Sequence, residues 1–368
     1  MHITIDARMV HSSGIGRYTR SVIKALQGKD FRQTLLIPSS CERKLLHVGN
    51  IETKCFLIPP YHPLEQLILP LVVPPSDVFF SPHITTTALP LRARRRVVTV
   101  HDAFHISNIA RFGRAKRSYA RFLYKSALAT ADTVIAVSEF TRSELAHYFP
   151  RYAGKITVVP NVLDPSVFFH DPVQPELKRP YALFVGNLKP HKNLLAAVRA
   201  LELQGDQDLT LAVAGTASGL LHGMGSELET LHRNPRLIFL GNQEDIALRR
   251  LYSHAECLVL PSFYEGFGYP ALEAMACGTP VICSSIPPLK ETCGDAALFC
   301  DPDSPEAFAK AIEAVRSDST LRARLIRAGT ERVRVFSPIR FNAETLAALV
   351  GDFHCNCTSI LPSSRSSP

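Results

Sequence analysis

Residues 261–280, PSFYEGFGYPALEAMACGTP, decide how this chain reads. An apolar run, CLVLPS, leads into the stretch and predicts a strand that ends in a turn. Gly266 and Gly268 then form a glycine loop. Pro270 suits the first position of a helix, where its missing N–H would be unpaired anyway. The helix ALEAMAC should stop at Gly278 in a left-handed cap. Strand, glycine loop and helix N-terminus together make an anion site, because free N–H groups and the helix dipole face the loop. Two carboxylates bracket it, Glu265 and Glu273, with seven residues between them. Carboxylates repel phosphate and suit hydroxyls instead. A nucleotide sugar carries both kinds of group.

Residues 265–281, EGFGYPALEAMACGTPV, resemble the signature of the family 4 glycosyltransferases, E-G-F-G-x-P-x-L-E-A-M-A-x-G-x-P-V. A glycine loop that only turned the chain would need no paired acids. Other stretches carry the same resemblance. Near the N-terminus, D-A-R is followed after a short gap by G-I-G-R-Y, residues 14–18. SPH, ending in His83, precedes T-x-H-D, ending in His101 and Asp102. GNLKPHKN, Gly186 to Asn193, is similar to the family's G-x-L-x-P-R-K-N, with His191 in place of its Arg. The likeness spans nearly all of residues 1–349 and is nearest to the mannosyltransferase branch.

Length and composition set the frame for these motifs. A chain of 368 residues is enough for about two domains. Its 46% hydrophobic and 20% charged residues are those of an ordinary globular protein, so both halves can bury a core. Nine cysteines are scattered without paired CxxC units, and the lone C-x-C, Cys355 and Cys357, lies in a polar tail. Most of the others sit in apolar text and read as buried thiols of a reducing compartment. MHITID lacks the basic and apolar regions of a signal peptide. The longest apolar stretch, LIPPYHPLEQLILPLVVPP, is interrupted by prolines, a His and a Glu, and is no membrane span. The expected location is the cytoplasm, peripheral on the inner face of the membrane.

The net charge of +8 is unevenly spread. Residues 92–125 hold ten Lys or Arg and one acid, Asp102, which leaves 31 basic and 32 acidic residues elsewhere. The excess therefore points to a localised anionic partner. Within it, RFGRAKRSYARFLYK, residues 111–125, places Arg114, Arg117, Arg121 and Lys125 at helical spacing. Apolar residues at 112, 115, 119 and 122 form a second series. One reading is a solvated face over core packing. Another is a basic amphipathic helix against an anionic membrane, and a third is that these residues line the cleft and hold an anionic acceptor. No nucleic-acid partner is expected.

Strands alternate with helices along the whole chain. HITID opens as a strand, followed by the loop ARMVHSSGIG and a helix from Arg17. The dinucleotide fingerprint G-x-G-x-x-G is absent, which argues against hydride transfer. Further strands are expected at Gln33–Ile37, Lys54–Ile58, Asp77–Ser81 and Val97–Val100, and Ser138 caps a helix over Glu139–His147. Residues 164–180, with four prolines and little period, read as a linker. YALFVGN, LTLAVAG, RLIFLG, CLVLPS and PVICS then read as strands covered on both faces. The expected fold class is α/β in the GT-B architecture, two Rossmann-like parallel-sheet domains facing a central cleft. We place the first domain at residues 1–165, the linker at 166–180 and the donor domain at 181–337. Residues 338–353 form a last helix, and the Ser- and Pro-rich tail, 354–368, is expected to be disordered. The resemblance implies that the last helix crosses back to the first domain, although the usual Trp before it is FSPIRF here.

What the resemblance implies for the site is specific. The loop with Gly16 approaches the donor diphosphate. Lys192 contacts that diphosphate, with Gly186, His191, Gly266 and Phe267 around it and the Gly268 and Tyr269 amides completing the clamp. Glu273 holds the ribose hydroxyls and Glu265 the donor hexose. His101 sits near the reacting ring, with His83 and Asp102 on the acceptor side. The family retains anomeric configuration and needs no metal or other cofactor. In keeping with this, DPD at 301–303 lies in a loop far along the chain and reads as a turn. Two rivals are a nucleotide-sugar epimerase of the same fold and a binding protein with a dead site.

Overall fold

The computed structural model describes residues 1–39, 51–107, 113–177, 180–216, 231 and 233–351. The tail, Cys355 and Cys357 and positions 111 and 112 of the basic stretch lie outside the described residues. The first half runs β1 (His2–Asp6), α1 (Ser13–Leu26), β2 (Arg32–Ile37), β3 (Ile51–Cys55), α2 (Glu65–Val72), β4 (Ser76–Ser81), β5 (Ala93–Val100), α3 (Phe104–Ser107), α4 (Arg114–Thr130), β6 (Thr133–Ala136), α5 (Glu139–Tyr148) and β7 (Ile156–Val158). The second runs β8 (Tyr181–Val185), α6 (Leu194–Glu202), β9 (Thr210–Ala214), β10 (Leu237–Gly241), α7 (Asp245–His254), β11 (Cys257–Leu260), α8 (Tyr269–Ala276), β12 (Val281–Ser284), α9 (Pro287–Cys293), β13 (Ala297–Cys300), α10 (Pro305–Ser317), α11 (Ser319–Arg334) and α12 (Pro338–Val350).

Two parallel sheets result, ordered β3-β2-β1-β4-β5-β6-β7 and β10-β9-β8-β11-β12-β13. Each reverses its winding beside its first strand, between β1 and β4 and between β8 and β11. Ligands of open α/β sheets bind at such switch points, outside the carboxyl ends of the strands. Central strands are covered on both faces. In β1, Thr4 and Asp6 are as fully buried as Ile3 and Ile5, so its apolar–polar alternation does not mark a wet face. Five apolar clusters line the two faces of the two sheets.

Several boundaries differ from the sequence reading. β3 ends at Cys55, short of the expected Ile58, where the chain turns toward Pro59 and Pro60. α1 starts at Ser13, four residues early, so Gly14 and Gly16 lie in its first turn and not in a loop. The Gly16 amide donates to the Ser12 carbonyl at 2.8 Å, and a Cβ there would sit 2.5 Å from the Val10 carbonyl oxygen. Gly16 thus lets the helix pack against the strand-end loop. The apolar series of α4 also differs. Its buried face is Leu123, Tyr124, Ala127 and Leu128, while Ala115 and Phe122 are exposed. Helical period gives the spacing of a face, and the sheet beneath selects which face is used.

Residues 164–177 carry no helix or strand, yet they are packed. Phe168 is buried against Tyr252, with ring centroids 6.2 Å apart, and Asp171 pairs with Arg249 at 2.8 Å. α12 leaves the second domain and lies on α1, where Phe341, Ala348, Leu349 and Val350 join the core over β1. The cysteines at 257, 277, 283, 293 and 300 are buried free thiols. No helix among the described residues is long and apolar enough to cross a membrane.

Candidate active site

The carboxyl ends of the two sheets face each other across a cleft of about 470 Å³. His101 and Asp102 line it from the first domain, and Gly186, Lys192, Glu265, Gly266, Phe267, Gly268, Tyr269 and Glu273 from the second. Gly16 and His191 do not line it; Gly14 does, and the His191 ring lies 4.5 Å from that of Phe104. His83 is 1% exposed behind β4, its ring hydrogen-bonded to Thr85 and 3.7 Å from Asp6, so its side chain does not face the cleft. Arg114, Arg117, Arg121 and Lys125 lie on α4, away from the cleft.

The second-domain wall is built by β11, its glycine loop and α8. Gly268 sits at φ +111°, and Pro270 occupies the first turn of α8. The helix stops before Gly278, at φ +77°. A Cβ on Gly266 would lie 2.0 Å from the His101 carbonyl oxygen, so only glycine lets this loop close on the first domain. Ser138, which caps α5 by accepting from the Thr141 amide, donates its hydroxyl to the Gly266 carbonyl at 2.7 Å. The two domains therefore meet at the loop that shapes the cleft.

Lys192 ends a short 3-10 turn held by Asn193, at φ +56°, whose side-chain amide donates to the carbonyls of Pro261 and Pro302. The Lys192 ammonium donates to both Glu265 oxygens at 2.7 Å, and the Ser262 hydroxyl donates to one of them at 2.8 Å. Glu273 is 1% exposed. It accepts from the Tyr252 hydroxyl at 2.8 Å and from Arg17. Arg17 reaches across from α1, pairs with Asp245 at 2.5 Å and lies over the Phe168 ring. Burial holds the His101 imidazole below its usual pKa, against the pull of the Pro82 carbonyl and Asp102. Its Nε2 lies 2.8 Å from that carbonyl, which only accepts, so the neutral ring carries its proton there and leaves Nδ1 as an acceptor.

Sequence reasoning missed several residues of this cleft. Arg17 was visible only as a letter of G-I-G-R-Y. Gly215 ends LTLAVAG, and a Cβ on it would strike the Gly186 carbonyl oxygen at 1.9 Å. A glycine at a strand's carboxyl end was the signal. Asn161 lines the cleft with a buried amide oxygen, and Tyr269, expected there through its backbone amide, adds a buried hydroxyl; neither atom has a hydrogen-bond partner among the described residues. Such atoms suit a polar ligand, since leaving them unpaired is costly.

Comparison with known proteins fits this geometry. Residues 12–167 match the family described as Glycosyltransferase Family 4, and residues 168–332 match Glycosyl transferases group 1. The chain is 31% identical over 274 residues to O-antigen chain mannosyltransferase B of Escherichia coli, covering 71% of each. The chain belongs to glycosyltransferase family 4. The family 4 enzyme is also 31% identical to O-antigen chain mannosyltransferase RfbU of Salmonella typhimurium, over 60% of each chain. A glycogen synthase of Mycobacterium tuberculosis is 30% identical over 55% of this chain and 50% of its own. Among solved structures, Anabaena Alr3699/HepE in complex with UDP-glucose superimposes with a TM-score of 0.75 at 18% identity, covering 95% of this chain and 99% of that one. The fold is GT-B, and the protein is a glycosyltransferase.

Proposed function

We propose that this glycosyltransferase moves a hexose from a nucleotide-diphosphate sugar to a glycan or lipid-linked glycan, in polysaccharide or lipopolysaccharide assembly. One observation carries the reading. A glycine-bounded helix N-terminus, a lysine and two buried carboxylates converge on a single interdomain cleft. GDP-mannose is the preferred donor, on the O-antigen relatives and on G-I-G-R-Y, S-P-H and T-x-H-D. Transfer breaks the bond between the anomeric carbon and a phosphate oxygen, and charge grows on the leaving diphosphate. Lys192 and the Gly268 and Tyr269 amides stabilise that charge. Glu273 takes the ribose hydroxyls, Glu265 the hexose, and His101 stands by the reacting ring and the acceptor hydroxyl. We further propose retention of anomeric configuration and independence of metal, the cations at the diphosphate being the protein's own. The Asp301 carboxylate accepts from the Asp303 amide, which supports reading DPD as the turn before α10. The enzyme acts in the cytoplasm at the inner face of the membrane.

Nucleoside diphosphate release tests this. The protein is given GDP-mannose or UDP-glucose, with and without an acceptor glycan, in EDTA. GDP should appear from GDP-mannose only with acceptor, and the product should keep the donor's anomeric configuration. Lys192→Ala should lower turnover by roughly 10²-fold, as lost leaving-group stabilisation does. Turnover without acceptor would indicate the epimerase. Binding without turnover would indicate a dead site, and inactivity relieved by a divalent cation would end the metal-free reading.

A further inference from the structure

Arg17 and Lys192 stand in matching positions on either side of the glycine loop. Lys192 holds Glu265, at the start of the loop, and Arg17 holds Glu273, on the helix that follows it. The two cations come from opposite walls of the cleft, Lys192 from the second domain and Arg17 from α1 of the first. Glu273 lies four residues past Tyr269, about 6 Å along α8, and a helical side chain leans back toward the N-terminus. The Arg17 guanidinium, bound to that carboxylate, therefore stands within about one turn of the Gly268 and Tyr269 amides.

His191 occupies the place of the arginine in P-R-K-N, and its ring packs on Phe104, outside the lining of the cleft. Lys189 does not line the cleft either. Among the described lining residues the lysines and arginines are Lys192, Arg17 and Arg20, and the Arg20 guanidinium donates to the Val10 carbonyl at 2.6 Å. Arg17 is thus the guanidinium nearest the start of α8. Its two carboxylate partners differ in what they tolerate. Asp245 is 41% exposed, so water can solvate it when the arginine leaves. Glu273 is buried and needs new hydrogen-bond donors in exchange.

We propose that Arg17 supplies the second cation at the donor diphosphate, in place of the arginine that this chain lacks at position 191. The inference rests on the transferase reading above. As the donor enters, ribose hydroxyls take over Glu273, and the released guanidinium turns onto a phosphate oxygen. Hexose hydroxyls do the same at Glu265, and Lys192 turns to the other phosphate. Each ion pair within the protein is exchanged for one with the donor, so no buried charge is left alone. A planar guanidinium grips two phosphate oxygens at once and keeps its charge. Both cations then face the charge that grows on the leaving diphosphate.

Titration calorimetry of the full chain with guanosine, GMP and GDP, and with uridine, UMP and UDP, reads phosphate contacts apart from ribose contacts. The parent should bind the diphosphate of its preferred base tightest. Arg17→Ala should weaken that diphosphate by roughly 10- to 100-fold, the size of a lost charge-assisted hydrogen bond, and leave the bare nucleoside within about threefold. Arg17→Lys should recover part of the loss. Turnover with donor and acceptor should fall by roughly 10²-fold in Arg17→Ala at saturating donor. If Arg17→Ala melts early, with Glu273 left charged and buried, Arg17→Gln combined with Glu273→Gln is compared with Glu273→Gln alone for the same readout. Equal losses for nucleoside and diphosphate would mean that Arg17 only orients Glu273, and would overturn the proposal. So would parental diphosphate affinity in Arg17→Ala. A parent that binds neither diphosphate would end the transferase reading together with this one, which keeps the two failures distinct.

Discussion

Glu265 and Glu273 carry the same charge and keep different company. Glu265 shares the Lys192 ammonium through both oxygens, so a ligand that takes Lys192 toward phosphate frees this carboxylate for hydroxyls. Glu273 is held by Tyr252 and by Arg17, and a ribose would have to share or replace the arginine. Replacing each by Ala should therefore separate two properties. Glu273→Ala should weaken the binding of bare nucleoside diphosphate measured by calorimetry. Glu265→Ala should leave that binding within about threefold and lower turnover instead. Equal losses of affinity would defeat the assignment. Both glutamates and His101 were legible because each sits in an unbroken motif, and Lys192 because its motif departs from the family's only at His191. Arg17 was not, since its partners lie 228 and 256 residues away and only the fold brings them near. His83 misled for the complementary reason. Its motif is local, but whether a side chain faces a cleft or a core depends on what covers it.

At the scale of elements, α2 is pinned by charge. Arg8 bridges Asp6, at the end of β1, and Glu65, in the first turn of α2, and all three side chains are buried. Burial works against Asp6, yet the Arg8 hydrogen bonds and charge hold its carboxyl below the usual range. One cation cannot serve two buried carboxylates equally, and burial pushes Glu65 up to about 7. The folded value lies above the unfolded 4.5, so its contribution to stability is complete below the unfolded value and is lost as pH rises through about 7. Glu65→Gln removes this titration. Its melting temperature relative to the parent should therefore rise between pH 5 and pH 8.5, and scanning calorimetry at the two pH values would register an unchanged difference if Glu65 stays ionised throughout. The sequence showed Glu65 only as a break in an apolar run. Its burial depends on Arg8, 57 positions earlier. The starts of α1 and the phase of α4 escaped for the same reason: packing against Val10 and against the first sheet chose them, while periodicity supplied only the repeat.

Across the whole molecule the domains are joined by polar contacts at a few points. The most telling is Glu291 of α9, whose carboxylate accepts from the Glu139 and Phe140 amides at 2.7 and 3.1 Å. One domain thereby caps a helix of the other, where free N–H groups and the dipole favour an anion. Glu291→Ala should cost roughly 1–2 kcal/mol in urea unfolding, the range of a lost cap. It should also enlarge the radius of gyration seen by X-ray scattering, as the cleft loses a clasp. An unchanged profile and midpoint would show that Ser138, Gly266 and Arg17 hold the domains without it. The two-sheet architecture was legible from strand–helix alternation and the proline-rich stretch. The closure was not, because each clasp pairs residues from opposite halves of the chain.

The return of α12 to the first domain bears on how the protein is made. Phe341, Ala348, Leu349 and Val350 fill the core over β1, and Arg95 of β5 reaches the Ala348 carbonyl at 3.4 Å. The ribosome completes β7 long before it completes α12. At about 5–20 residues per second, the interval is roughly 10–40 s. Through that time the nascent first domain presents an open apolar groove to the cell. The second domain is finished sooner than the first, although it is synthesised later.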